Sequence, residues 1–240
     1  MNWSKLSHIG LVRKNNEDNC CVCDDLGLFA VADGMGGHKA GEIASKLALD
    51  ELESFLRSDS QILEDDPVEA LMKAFTKVNQ IVLDYAKTNG DNFRGMGTTI
   101  TAALLHGDKI HIAHVGDSRA YLMRNREIRM LTSDHSLVNE LVKSGGLTVE
   151  EADRHPQRNI LTRAIGTAQT VKVDVSTLQV CKGDVIILCT DGLSNLVSLE
   201  EIKQIAETQE FLGERAKRLT ELALDRGGGD NITVILYQVE

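Results

Sequence analysis

Thr98-Thr99-Ile100-Thr101-Ala102-Ala103-Leu104-Leu105-His106-Gly107-Asp108-Lys109-Ile110-His111-Ile112-Ala113-His114-Val115-Gly116-Asp117 holds two apolar runs, Thr98–Leu105 and Lys109–Val115, divided by a short glycine-containing turn. His106-Gly107-Asp108 is too short for a crossover, so the runs form a predicted antiparallel hairpin and not the halves of a βαβ unit. The same punctuation recurs at Asp24-Asp25-Leu26-Gly27, between Asn19–Cys23 and Leu28–Ala32, and at Lys182-Gly183-Asp184, where the run Asp184–Thr190 begins. Leu6–Val12, Ala120–Arg124, Glu127–Leu131, Val171–Gln179 and Ile232–Val239 also have strand character. The sheets are therefore expected to be mainly antiparallel.

Helical periodicity is confined to blocks. Ile43, Leu47, Leu49, Leu52 and Leu56 mark a helix over Ala40–Leu56, and Leu71, Phe75, Val78, Val82 and Tyr85 mark one over Pro67–Ala86, with Pro67 suited to its first turn. Thr148-Val149-Glu150-Glu151 and Ser198-Leu199-Glu200-Glu201 fit capping boxes, the second opening a helix over about Ser198–Glu207, and a last helix covers Glu214–Asp225. Strands and helices in blocks predict an α+β fold with helices laid over stacked antiparallel sheets. Asp134–Ala168 is polar and irregular, the mark of a flap or small subdomain.

Composition narrows the function. A chain of 240 residues can bury one sizeable core and is expected to form a single domain over residues 1–240. With 36 acidic against 26 basic residues, a formal charge of −10 and few aromatics, it offers neither a basic groove nor stacking platforms, so nucleic acid is not an expected partner. No apolar run is long enough to span a bilayer, and Met1–Lys14 lacks the pattern of a secretory signal, so a cytoplasmic protein without a membrane partner is expected. The cysteines, at the odd count of five, are expected to be free thiols. Cys20-Cys21-Val22-Cys23 lacks the two-residue gap of a metal-binding pair and reads as small apolar strand residues. His111 and His114, three apart on an extended segment, point to opposite faces.

The aspartates carry the chemistry. Four of them stand where an apolar strand begins or ends, each beside glycine: Asp33 in Phe29-Ala30-Val31-Ala32-Asp33-Gly34, Asp117 in Val115-Gly116-Asp117, Asp191 in Cys189-Thr190-Asp191-Gly192, and Asp230 in Gly229-Asp230-Asn231-Ile232. One Asp-Gly after a strand is ordinarily a turn. If neighbouring strands bring all four to one edge, each uncompensated pair costs about 4 kcal/mol at an effective dielectric near 20, and cations must neutralise them. Hard oxygen ligands select Mg²⁺ or Mn²⁺, and a pair of such ions activates a water for attack on phosphorus. Arg13, directly after the first strand, offers a guanidinium fork for phosphate, and Glu17 and Asp18 beside it are suited to holding metal-bound water.

These residues resemble the metal-dependent type 2C (PPM) serine/threonine protein phosphatases in their compact bacterial form. The motifs stand in family order over nearly the whole chain: Gly10-x-x-Arg13-x-x-Asn16-Glu17-Asp18, Val31-Ala32-Asp33-Gly34-Met35-Gly36-Gly37-His38, Gly97-Thr98-Thr99, Val115-Gly116-Asp117-Ser118-Arg119-Ala120-Tyr121, Leu131-Thr132-x-Asp134-His135-Ser136, Leu161-Thr162-Arg163-Ala164-Ile165-Gly166, Thr190-Asp191-Gly192-Leu193 and Gly229-Asp230-Asn231-Ile232-Thr233. The resemblance implies a β-sandwich of two antiparallel sheets flanked by helices, an α-β-β-α layering, with the flap at about 134–168. It implies that Asp33 bridges two Mn²⁺ or Mg²⁺ ions, that the Gly34 carbonyl supports one of them, and that Asp191 and Asp230 complete the pair. Glu17 and Asp18 would act through metal-bound waters, Asp117 with Asp191 would hold a third, weaker ion, Asn231 would support Asp230, and Arg13 would bind the substrate phosphate. The expected substrates are phosphorylated proteins, including a Ser/Thr protein kinase that the enzyme opposes, and the expected state is a monomer.

Met35 stands where some members of the family carry a histidine, and His38 comes three positions later, which points to water as proton donor to the leaving group. His8 replaces a common Asp, Cys20 and Cys21 replace frequent aromatics, and His135 reads as a bonded core or flap residue. Other phosphatase chemistries lack their motifs: no cysteine has an arginine six positions on, and no Asp-x-Asp occurs. Two alternatives stay open, a catalytically silent relative serving as an interaction module and a metallohydrolase of small phosphoesters.

Overall fold

Successive residues of a strand face opposite sides of its sheet, and in the central strands of this chain both sides are apolar. Leu28, Ala30 and Ala32 face one way and Phe29 and Val31 the other, and all five are buried. Such strands must be covered on both faces. The computed structural model describes residues 2–36 and 40–240, Asp153 by its backbone alone, and shows how. In chain order the strands are β1 (Asn2–His8), β2 (Asp18–Cys23), β3 (Leu28–Met35), β4 (Gly97–Thr98), β5 (Ile100–His106), β6 (Lys109–Val115), β7 (Arg119–Arg124), β8 (Glu127–Met130), β9 (Asp174–Gln179), β10 (Val185–Cys189) and β11 (Ile232–Gln238). The helices are α1 (Ala40–Ser58), α2 (Ser60–Asp65), α3 (Pro67–Thr88), α4 (Leu137–Lys143), α5 (Val149–Asp153), α6 (Asp191–Ser194), α7 (Leu199–Ala206) and α8 (Leu212–Asp225).

One sheet has the order β1-β11-β10-β7-β8 and the other β2-β3-β5-β6-β9, with β4 added to β3, and the paired strands run antiparallel. Between the sheets lie Phe29, Val31 and Ile112 from one and Leu122, Ile186, Leu188 and Tyr237 from the other, with the Phe29 and Tyr237 rings stacked at 4.6 Å. The outer face of the second sheet packs on α1 and α3 through Ala44, Leu52, Leu71 and Phe75, and that of the first on α7 and α8 through Ile202, Ala216 and Leu219. The result is the expected layering of helices, two sheets and helices. No described helix is long and apolar enough to cross a membrane.

Several boundaries differ from expectation for local reasons. The first strand runs over Asn2–His8 and not Leu6–Val12, because its ladder to β11 ends at His8 opposite Ile232, and Gly10, at φ 82°, then turns the chain away. Leu11 and Val12 are exposed on the loop that follows. The expected strand Thr98–Leu105 is interrupted at Thr99, where the N–H still donates to the Asp33 carbonyl at 2.8 Å but the Asp33 N–H turns to the Thr99 hydroxyl at 2.9 Å, and Val171–Gln179 shortens to β9. Both capping boxes form, at Thr148 with Glu151 and at Ser198 with Glu201. Helices α2, α4 and α6 were not expected; α4 starts at Ser136, whose hydroxyl accepts from the Asn139 N–H.

The register brings the chemistry together. Asp18 lies opposite Asp33, Ile100 opposite Val115, Cys189 opposite both Arg119 and Val234, and His8 opposite Ile232. The loops and strand ends that carry Arg13, Asp33, Asp117, Asp191 and Asp230 therefore open at one end of the sandwich.

Candidate active site

Each acidic residue owes its place to a strand end. Asp33 lies on β3, where its N–H donates to the Thr99 hydroxyl at 2.9 Å, and that hydroxyl meets the Ser118 hydroxyl at 2.7 Å. Asp117 follows β6 in the turn to β7, Asp191 opens α6 directly after β10, and Asp230 precedes β11. Glu17 ends the loop after β1, and Asp18 opens β2. Asn231 closes that loop on the site: its side-chain oxygen accepts from the Glu17 N–H at 2.8 Å, while its amide donates to the carbonyls of Ile9 at 2.8 Å and Asn15 at 3.0 Å. Glycine is required where backbones meet. A Cβ on Gly34 would stand 2.0 Å from the Gly41 carbonyl oxygen, and one on Gly192 would stand 1.9 Å from that of Asn231.

The cleft so formed measures about 430 Å³ and is lined by Arg13, Glu17, Asp33, Gly34, Asp117, Asp191, Asp230 and Asn231. Asp18, the ninth residue of the expected set, is buried beneath it and accepts from the Thr190 hydroxyl at 2.8 Å. The Asn231 side chain holds the loop that carries Glu17, while its backbone N–H donates to Asp230 Oδ1 at 2.8 Å. The far wall is Asn159, Leu161, Thr162, Arg163, Ala164 and Thr167, all from the segment 134–168. The Thr98–Ile165 bridge ties that segment to β4, and the Ser136–Leu161 bridge closes it on itself.

The electrostatics are those of crowded carboxylates. Burial raises Asp33 well above the usual range, and the charges of Asp18, Asp191 and Asp117 add to the effect. Burial, then Asp191 and Asp134, push Asp117 up to about 8. Asp18 rises to about 7, again by burial first, against the hydrogen bonds of Thr233 and Thr190. Asp191 is raised by burial and by Asp230, and Glu17 mainly by burial. Arg13 contributes one positive charge, with Nη2 2.7 Å from Asp230 Oδ2. Arg119 and Arg163 are bound instead to Asp134 and Asp174, at 2.7 and 2.8 Å. Two buried oxygens, Asp18 Oδ1 and Asp191 Oδ1, have no hydrogen-bond donor among the described residues. An oxygen-only donor set with surplus negative charge and orphaned carboxylate oxygens fits hard divalent cations.

Some of the supporting residues carried no role in the sequence reading. Thr99 and Thr190 stand inside the motifs, yet a threonine beside a strand aspartate is also ordinary β-sheet composition; only the pairing of strands shows their hydroxyls beneath the carboxylates. Asn195, whose amide donates to Asp191 Oδ2 at 3.0 Å, lies one helical turn on, at i+4 in α6 and its cap. His135 is buried and bonded: Nδ1 accepts from the Gly116 N–H at 3.1 Å, and Nε2 lies 3.1 Å from Asp174 Oδ2. Met35 lines the cleft, whereas His38 lies outside the described residues. All five cysteines are free thiols.

Comparison with known proteins matches nearly the whole chain. The family model described as Protein phosphatase 2C matches residues 2–232. The chain is 40% identical over 233 residues to the serine/threonine phosphatase stp of Listeria monocytogenes, covering 95% of this chain and 92% of that protein. It is 40% identical over 251 residues to the protein phosphatase PhpP of Streptococcus pneumoniae, covering 100% and 98%. Among solved structures, the Mycobacterium tuberculosis serine/threonine phosphatase PstP/Ppp superposes with a TM-score of 0.92 at 38% identity, over 100% of this chain and 98% of that one. The catalytic domain of PstP in complex with two manganese ions superposes with a TM-score of 0.87 at 37% identity, over 98% and 96%.

Proposed function

Because the chain belongs to the protein phosphatase 2C family and is a serine/threonine protein phosphatase, we propose that it hydrolyses phosphoserine and phosphothreonine in proteins at a binuclear Mn²⁺ or Mg²⁺ centre. The observation that carries this reading is the convergence of Glu17, Asp33, Asp117, Asp191 and Asp230 on one cleft with Arg13 at its rim. Asp33 and the Gly34 carbonyl, with Asp191 and Asp230, would hold the two ions, and Glu17 and Asp18 would hold their waters. Asp117 with Asp191 would hold a third, weaker ion. A relative at 37% identity that binds two manganese ions supports the two-ion part of this reading. When bound, the ions neutralise the carboxylates and lower the pKa of a water so that it attacks phosphorus.

The chain's own residues bind and orient the substrate. Arg13, half exposed at the rim, exchanges its bond to Asp230 for the phosphate oxygens and presents the ester to the carboxylate cluster. Thr99, Ser118 and Thr190 fix Asp33 and Asp18 in the positions the ions require, and Asn231 holds the loop that carries Glu17. The leaving alkoxide takes its proton from water. The residues 134–168 serve as a flap that forms the far wall of the cleft within one catalytic domain, 1–240.

The partners in this reading are phosphorylated proteins, including a Ser/Thr protein kinase whose action the enzyme reverses, and the enzyme works as a cytoplasmic monomer. The test compares a phosphothreonine peptide with a nucleoside monophosphate under the same Mn²⁺ concentration. A kcat/KM higher for the peptide supports the assignment; equal or higher turnover of the nucleotide assigns a small-molecule phosphoesterase instead.

A further inference from the structure

Cys21 and Cys23, two positions apart on β2, project to the same face of that edge strand, where α1 brings Glu53 against them. Cys21 Sγ is 3.3 Å from Cys23 Sγ and 3.5 Å from Glu53 Oε2, and the three donor atoms lie within 4.8 Å of one another. Cys23 is buried and Cys21 half-buried. Arg57 Nε donates to Glu53 Oε1 at 2.8 Å, which fixes the carboxylate with its other oxygen toward the sulfurs.

From this juxtaposition we propose that Cys21, Cys23 and Glu53 bind one thiophilic divalent cation of the Zn²⁺ class, separate from the oxygen-ligated active site. Zinc–sulfur bonds of about 2.3 Å at a tetrahedral angle place two sulfurs about 3.8 Å apart, so the observed spacing needs only a small opening. Binding releases the two thiol protons to solvent and leaves two thiolates and one carboxylate on the ion, with water in the remaining position. The donor set separates the two sites chemically, since thiolates take Zn²⁺ and leave Mg²⁺ and Mn²⁺ to carboxylates. A disulfide fits less well: residues two apart in a strand have Cα atoms about 6.6 Å apart, at the long end of the range for such bonds. A carboxylate turned onto a disulfide would also have nothing to bind, whereas between two thiolates it completes a cation site. Burial raises both thiols and so keeps them protonated and unreactive until an ion displaces the protons. The bound ion clips β2, which begins at Asp18, to α1.

The experiment uses the reduced, metal-stripped full chain with saturating Mg²⁺ on the carboxylates, and titrates it with Co²⁺ as the spectroscopic stand-in. The expected result is a sulfur-to-cobalt charge-transfer absorption in the near ultraviolet that saturates at one equivalent and is bleached by Zn²⁺. It should be absent from the Cys21→Ser/Cys23→Ser double variant and unchanged in Cys181→Ser. Glu53→Gln should keep the absorption but weaken Co²⁺ binding by at least about 10-fold. Because neither cysteine lines the cleft, the double variant should retain phosphatase turnover. No thiolate absorption in the wild type, or one that persists in the double variant, would overturn the proposal.

Discussion

Arg13 Nη2 lies 2.7 Å from Asp230 Oδ2, so the side chain assigned to phosphate is paired with a carboxylate assigned to metal. The pair joins the loop after β1 to the strand entry at β11, across 217 positions of sequence. Arg13 is exposed and Asp230 half-buried, and such a pair adds little stability. Its value is positional, since it aims the guanidinium at the cluster before substrate arrives.

In the proposed role Arg13 binds the phosphate alike in the ground state and the transition state, and Arg13→Ala should therefore act on KM more than on kcat. Hydrogen bonds to charged groups contribute about 1.5–3 kcal/mol, which corresponds to a rise in KM of roughly 10- to 150-fold. Arg13→Lys should recover part of the loss by restoring charge without the fork. Steady-state kinetics on one phosphothreonine peptide measure both. An unchanged KM in Arg13→Ala would move the anchor elsewhere, with Arg163, across the cleft on the flap, as the next residue to replace.

Asp117 differs from Asp33, Asp191 and Asp230 in its assigned task of helping to hold only the third ion. Asp117→Ala should retain two bound ions by elemental analysis after dialysis, yet turn over more slowly at limiting metal. A variant with no bound metal would show that Asp117 belongs to the core pair.

How much of this was legible in the sequence depended on the range of the interaction concerned. Asp33, Asp117, Asp191 and Asp230 could be picked out because each ends or begins an apolar run beside glycine, a pattern written within six or seven residues. Leu28–Ala32 was legible as a strand for the same reason. The hydroxyl of Thr190 on Asp18, by contrast, spans 172 positions, and that of Thr99 on Asp33 spans 66. No local rule encodes either bond. The cysteines on β2 read as strand residues because their third partner, Glu53, faces them only after α1 has packed on the sheet. The first strand was placed too late because Leu11 and Val12 carry β-propensity onto a loop that Gly10 turns into solvent.

Gly34 tolerates no side chain. Its Cβ would meet the Gly41 carbonyl oxygen at 2.0 Å and that of Glu17 at 2.7 Å, both of them backbone atoms. Gly34→Ala should lower stability by about 1–3 kcal/mol or more, as overpacked positions do, and displace Glu17 from the cleft. Urea denaturation of the metal-free protein reads the loss; a midpoint equal to wild type would show that the two backbones separate freely.

Acid stability has an identifiable contributor in His114. Its Nδ1 bonds the Thr101 hydroxyl at 2.8 Å, Nε2 is buried without a partner among the described residues, and the ring packs 4.7 Å from that of His135. Burial, with His135 adding to it, lowers the group to about 3. Between that value and the ordinary 6.5 the unfolded chain binds the extra proton, so stability rises with pH there and falls as pH drops below about 6.5. One differential proton is at most about 1.4 kcal/mol per pH unit. Urea denaturation of metal-free wild type and His114→Asn between pH 7.5 and 4.5 should show a shallower loss in the variant; identical slopes would remove His114 from the account.

The most direct test of the central claim is phosphate release from a phosphothreonine peptide by the chain in excess chelator, followed by re-addition of Mn²⁺ or Mg²⁺. Because the carboxylate cluster needs compensating cations and those cations activate the attacking water, turnover should vanish in chelator and return with either ion. Full activity in excess chelator would contradict the binuclear site.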